Sequence, residues 1–150
     1  MTRDQRAIVE RATALPDRLA AAARAAPPEP PAPGEWAPTD IVRHLIAVEE
    51  EVWHPRLRQL IAEDEPRWAW VEPDRWQGSP DASLDELLAT YADRRATTLT
   101  LLDDLARDGW SKTGVHATFG RLDATGLMQK ALDHDEEHIA SLGSALPSPP

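Results

Sequence analysis

Cysteine is absent from the 150 residues, which excludes disulfides and any thiolate ligand or nucleophile supplied by the chain itself. A transition-metal site, if there is one, must be built from nitrogen and oxygen donors. Long apolar runs are absent too. No stretch approaches the roughly 18 residues that a membrane helix needs, so no span and no membrane partner are expected. Met1–Arg6 leads into no apolar run, so no secretory signal is expected, and the cytoplasm is the expected location. Positive charge is scarce: 16 Lys and Arg stand against 26 Asp and Glu, for a net charge of −10. With no clustered basic stripe, a nucleic-acid partner is not expected. Tyrosine and phenylalanine occur once each beside six tryptophans, so aromatic packing rests on indole rings. Trp68, Trp70 and Trp76 crowd one segment, where they can cover the core, line a substrate pocket or form a homodimer contact.

What remains is helical. The length fits one domain over residues 1–150, with a proline-rich tail at about 147–150. The first helix is expected over 3–26, opened by a Thr2/Gln5 capping box and striped by Ile8, Ala12, Leu15, Leu19 and Ala22. Pro16 should kink or divide it. Pro27–Pro33 cannot continue a helix. The second helix is expected over 38–63, with Ile41, His44, Leu45, Val48 and Val52 on its apolar face. Pro55 should disturb it, because the carbonyl of Glu51 loses its usual donor. The run Glu49-Glu50-Glu51 reads as a partly exposed face. The third is expected over 84–107, capped by Ser83, with Leu84, Leu87, Leu88, Tyr91, Leu99, Leu102 and Leu105 buried. The fourth is expected over 124–142, between an Asp123 cap and a Gly143 stop. No strand hairpin stands out. Four amphipathic helices make an all-α four-helix bundle.

His134 and His138 are the most informative pair. Spaced four apart on a helix, they differ by about 40° around the axis and about 6 Å along it, so both can bind one metal ion. With Leu127, Ala131 and Leu142 they fall on a core-facing stripe, where unpartnered rings would be costly. The loop at 64–82 is long enough to cross the height of a bundle. A crossover between helices two and three gives up-down-down-up order, makes helices two and four antiparallel and brings His44 level with the pair. Glu51 and Asp135 are candidates to orient ligands, or simply solvated charges. His54 lies off the face of His44 and reads as structural, and His116 as a rim or loop-capping residue.

The run Trp36-Ala-Pro-Thr-Asp-Ile-Val-Arg-His44-Leu45 resembles the W-S-P-x-x-x-x-x-H-L signature of the DinB-like (damage-inducible) superfamily. The runs His116-Ala-Thr-Phe-Gly120-Arg-Leu122 and His134-Asp-Glu-Glu-His138-Ile139 resemble its later H-x-x-F-G-x-L and H-D-x-x-H-I patterns. The resemblance covers nearly the whole chain. It departs at Ala37, where a capping serine is usual, and at Asp123, where a threonine is usual. It implies an up-down-down-up bundle with a divalent metal, Zn, Ni, Fe or Mn, on His44, His134 and His138. Characterised relatives include thiol-dependent S-transferases and a mycothiol-dependent maleylpyruvate isomerase. The implied activity is therefore metal-dependent chemistry on a small molecule through a low-molecular-weight thiol. Two other readings stay open: a noncatalytic metal-binding stress protein, and a bundle whose histidines are core hydrogen-bonders. The string His134-Asp-Glu-Glu137-His138 also matches the inverted zinc-peptidase pattern H-x-x-E-H. That class needs a further acidic ligand downstream, and Ile139–Pro150 offers no Asp, Glu or His.

Overall fold

A computed structural model describes residues 1–144; the proline-rich tail lies outside the described residues. Four long helical stretches carry the fold. They are α1 (Arg3–Ala25), then α2 (Pro38–Val48) running through a π-helical turn (Glu49–Trp53) into α3 (His54–Ala62), then α4 (Leu84–Asp104), and finally α6 (Ala124–Ser144). A short α5 (Ala106–Gly109) follows α4, whose main stretch ends three residues before the expected position 107.

The expected caps form where the side chains permit. Thr2 and Gln5 make a reciprocal capping box, the Ser83 hydroxyl accepts from Glu86 N, and Asp123 Oδ1 accepts from Gly126 N. At α2 only half of the box exists. The Asp40 carboxylate accepts from Ala37 N, while Ala37 has no oxygen to offer in return. Gly143 does not stop α6, which includes it.

The prolines act through the carbonyls they leave without donors. Pro16 does not divide α1. It deprives the Ala12 carbonyl of its donor, and Arg95 Nη1 of α4 donates to that oxygen instead, at 3.0 Å. Pro55 cannot donate to Glu51. The helix widens just before it, so that His54 N bonds the Glu49 carbonyl five residues back.

α1 packs against α4 and α6, and α2 packs against α4 and more lightly against α6. Arg24 meets Asp85 and Arg95 meets Ala12, so α1 and α4 run in opposite senses. Arg11 pairs with Asp133 and Arg18 with Glu136, so α1 and α6 run in the same sense. The core lies between these helices, with Leu15, Leu19, Leu45, Leu57, Leu127 and Leu132 among its fully buried members.

A three-stranded sheet corrects the expectation of a chain without strands. β1 (Arg67–Trp68) pairs parallel with β2 (Thr113–His116), which pairs antiparallel with β3 (Gly120–Asp123). These strands have only two to four residues, too few for an alternating pattern to register. The hairpin turn is built by His116, whose Nδ1 accepts from Thr118 N and Phe119 N at 2.9 and 3.2 Å, and by Gly120 at φ 74°. Trp68 lies across Gly114, where an added Cβ would sit 2.3 Å from the indole.

The Glu49–Glu51 run needs a second correction. Glu49 is buried and pairs with Arg95, and the Glu51 carboxylate accepts from the backbone N–H groups of Arg75 and Trp76. A buried glutamate is tolerated here because a guanidinium of the facing helix meets it. Glu51, in turn, pins the crossover segment rather than touching any histidine. The three crossover tryptophans separate: Trp68 is buried, Trp76 packs partly on the core, and Trp70 is 74% exposed.

Candidate metal centre

His44 projects from α2, and His134 and His138 from α6. Their ring centroids lie 5.4 Å (44–134), 4.9 Å (44–138) and 4.7 Å (134–138) apart. One ring nitrogen from each falls within 4.8 Å of the other two. No other such trio of potential ligands occurs among the described residues. All three rings are half-buried, so the pair does not face the core as the stripe implied. Met128, Ala131, Leu132, Asp135 and Leu142 hold the buried face of α6, and the histidines ride its shoulder. That shoulder position leaves the site open to solvent.

Trp36 covers one side. Its ring stacks on His138 at 6.1 Å and 15° and lies 4.9 Å from His44. Burial, then the neighbouring His138 and His134, push the His44 ring down to about 4, against an upward pull from Asp135. Burial and His134 also hold His138 below its ordinary value. Both rings are therefore neutral at ordinary pH, the form whose lone pair can bind a cation.

Asp135 is the buried carboxylate beside the trio. Its Oδ2 accepts from Arg95 Nη2 at 2.6 Å and from the Tyr91 hydroxyl at 2.8 Å. Its Oδ1 has no partner and sits 3.6 Å from His134 Nδ1, itself buried without a partner. These orphaned atoms face each other just beyond hydrogen-bond range. An imidazole turned this way keeps Nε2 for a cation, with the carboxylate behind the ring to fix tautomer and orientation. Of the two sequence candidates for an orienting role, Asp135 lies beside the trio and Glu51 does not. His54 is structural, with Nε2 bonded to the Arg94 carbonyl and the Thr98 hydroxyl at 3.0 and 2.9 Å.

The network behind Asp135 has no counterpart in the sequence reading. Arg95, 1% exposed, also donates to both Glu49 carboxylate oxygens, at 2.8 and 3.2 Å, and to the Tyr91 hydroxyl. Burial alone would lower its basicity, but Glu49, Tyr91 and Asp135 raise it. Burial, followed by Asp135, raises the Tyr91 phenol well above its usual value. The signal was available in register. Arg95 lies four and seven residues past Tyr91 and Leu88, on the apolar stripe, and Glu49 lies four past Leu45 on the facing helix.

Three nitrogen donors fit a first-row divalent cation and leave coordination positions for water or a substrate. Three hollows reach the trio. One of about 530 Å³ is bounded by Trp36 and His138, and one of about 460 Å³ by Trp36, His44 and Trp76. The third, of about 450 Å³, runs from His44 and His134 down to Trp53, Arg56 and His116.

No curated protein sequence matches the chain. Among solved structures, YfiT from Bacillus subtilis is similar over 97% of this chain and 87% of its own, with a TM-score of 0.78 and 17% identity. That protein is described as a probable metal-dependent hydrolase with an unusual four-helix bundle topology. At this identity the likeness shows the four-helix bundle fold. The family profile of the DinB superfamily matches residues 1–142, and the chain belongs to that superfamily.

Proposed function

We propose that the chain is a divalent-metal-dependent enzyme whose cation is held by His44, His134 and His138, with a low-molecular-weight thiol as nucleophile in an S-transferase or isomerase type of reaction. The observation that carries this is the convergence of three imidazole nitrogens within 4.8 Å at the head of a cavity. A cation bound there would favour the thiolate form of a coordinated thiol, or acidify a coordinated water. The chain has no cysteine, so a sulfur nucleophile must come from outside. The protein's share is positioning. Asp135 stands behind the His134 ring, Trp36 covers one side of the trio, and the cavity walls guide the small-molecule substrate to its open side. The up-down-down-up order that this placement presumes is supported by the helix senses read from Arg24–Asp85, Arg95–Ala12 and Arg18–Glu136.

A hydrolytic reading differs only in the nucleophile, water for thiol, and is favoured by the description of YfiT as a probable metal-dependent hydrolase. No helix of the described residues is long and apolar enough to cross a membrane, and we place the protein in the cytoplasm, free of membrane and nucleic acid. The exposed Trp70 offers a homodimer contact. Metal-loaded protein should transfer a thiol to an electrophile such as an epoxide or a chlorinated nitroaromatic. His134→Ala should abolish that rate and keep the helical signal. Tight metal binding without turnover across thiol, ester and amide panels would make the protein a noncatalytic metal binder.

A further inference from the structure

The cavity beneath the trio ends on a charge that the protein leaves unpaired. Arg56 of α3 is 6% exposed, yet among the described residues no carboxylate comes within 4 Å of it. Its neighbours are the Trp53 and Trp68 rings, at 5.4 and 6.0 Å, and the Ala69 carbonyl, which accepts from Nη2 at 3.1 Å. None of its other N–H groups is sealed from solvent. A guanidinium stays ionised, and burying it without a counter-charge is costly. The other polar atoms at this end are also donors. Trp53, 7% exposed, keeps its indole N–H buried with no partner. His116, 4% exposed, has its Nδ1 occupied by two backbone N–H groups, so the neutral ring carries its proton on Nε2. The carboxylates on the same cavity, Glu72, Asp133 and Glu137, are all exposed, where water screens them.

We infer that Arg56, with His116 Nε2–H beside it and the Trp53 ring as the wall against the guanidinium, forms a subsite for the carboxylate of an organic acid whose apolar body lies along the cavity toward the histidine trio. This rests on the reading of the trio as the reactive centre and adds the substrate class. Only acceptors can satisfy a wall of unused donors, and the guanidinium fork matches a carboxylate bidentately. The body must be apolar, because Val48, Val52 and Trp53 line the way between. Its length is bounded by the helix. Twelve residues from His44 to Arg56 rise about 18 Å at 1.5 Å each, and the Arg56 side chain reaches back over several of them. A carboxylate about 10 Å from the reacting atom fits that span.

The test uses the full chain freed of metal with a chelator, so that a carboxylate has no cation to bind and the result does not depend on the metal reading. 4-Phenylbutyrate and its neutral amide, 4-phenylbutyramide, are titrated by calorimetry and by the indole N–H signals in a nitrogen-correlated NMR spectrum, with Trp53→Phe assigning the Trp53 signal. The acid should bind at least about tenfold more tightly than the amide, the scale of one charge-assisted hydrogen-bond pair. It should shift the signal of Trp53, whose ring lies 5.4 Å from the Arg56 guanidinium, at concentrations where the amide leaves it in place. Arg56→Gln should abolish the preference. Equal affinities for acid and amide in the parent would overturn the subsite whatever the variants do, and so would a preference that survives in folded Arg56→Gln. Loss of metal binding with this preference intact would sink the metal reading alone.

Discussion

Replacing Arg95 by methionine is the severest single test of the core. The side chain is 1% exposed, and it bonds both oxygens of Glu49, Oδ2 of Asp135, the Tyr91 hydroxyl and the Ala12 carbonyl. Methionine fills much of the volume and offers no donor. Two buried carboxylates then lose their cation, and removing one partner of a buried pair costs about 3–5 kcal/mol. The Ala12 carbonyl also loses its donor, and Pro16 cannot supply one, which adds about 1–3 kcal/mol. The contributions share partners and will not sum fully, so a loss of about 4–6 kcal/mol is expected. For a chain of this size that lowers Tm by roughly 10–20 °C. Urea unfolding of the metal-free protein followed by circular dichroism gives the free energy. The triple variant Arg95→Met, Glu49→Gln, Asp135→Asn removes the stranded charges and should recover much of the loss. A single-variant cost below about 1 kcal/mol, or a triple variant no better than the single, would refute the reasoning, for either result would mean the charges are not held by Arg95.

Three further outcomes follow from other parts of the molecule. Gly114→Ala would drive a methyl into the Trp68 ring and should cost about 1–3 kcal/mol by thermal melt, with Trp68→Leu in the same chain relieving the clash. The His44 ring is pushed down to about 4 from 6.5, so between those values the folded metal-free protein binds fewer protons than the unfolded chain. Its stability should hold above pH 6.5 and fall as the pH drops toward 4; a His44 NMR titration with a midpoint near 6.5 would contradict this. Asp135→Asn keeps the shape behind His134 and removes the charge. It should weaken metal binding about 10- to 100-fold, and unchanged affinity in a competition titration would deny Asp135 its orienting role.

The helices were legible because they follow periodicity, and a period survives without knowledge of the partners. The meeting of the three histidines was legible from the i,i+4 spacing, the crossover length and the resemblance, but their place on the shoulder of α6, half-buried and not core-facing, was not. The sheet was not legible. Its strands run to four residues at most, and β1 is defined by pairing with a segment some fifty residues away. The burial of Glu49 and Asp135 was missed for a related reason. A carboxylate in a helix reads as solvated until the residue opposite is known, and here that residue is Arg95 on another helix. Pro16 and Pro55 drew attention to themselves, but a sequence cannot say what answers a freed carbonyl. One is met by Arg95 Nη1. The other lies within a π-helical turn that carries α2 into α3, while α1 stays undivided past Pro16.

The most direct measurement is the metal content of protein purified without a histidine tag, by elemental analysis after dialysis against a divalent cation, in the parent and in His44→Ala. The parent should hold one ion per chain, and the variant should lose most of it while keeping its helical signal, because α2 and α6 supply one site together. Full metal content and an unchanged metal-induced rise in Tm in His44→Ala would contradict a site shared between the two helices.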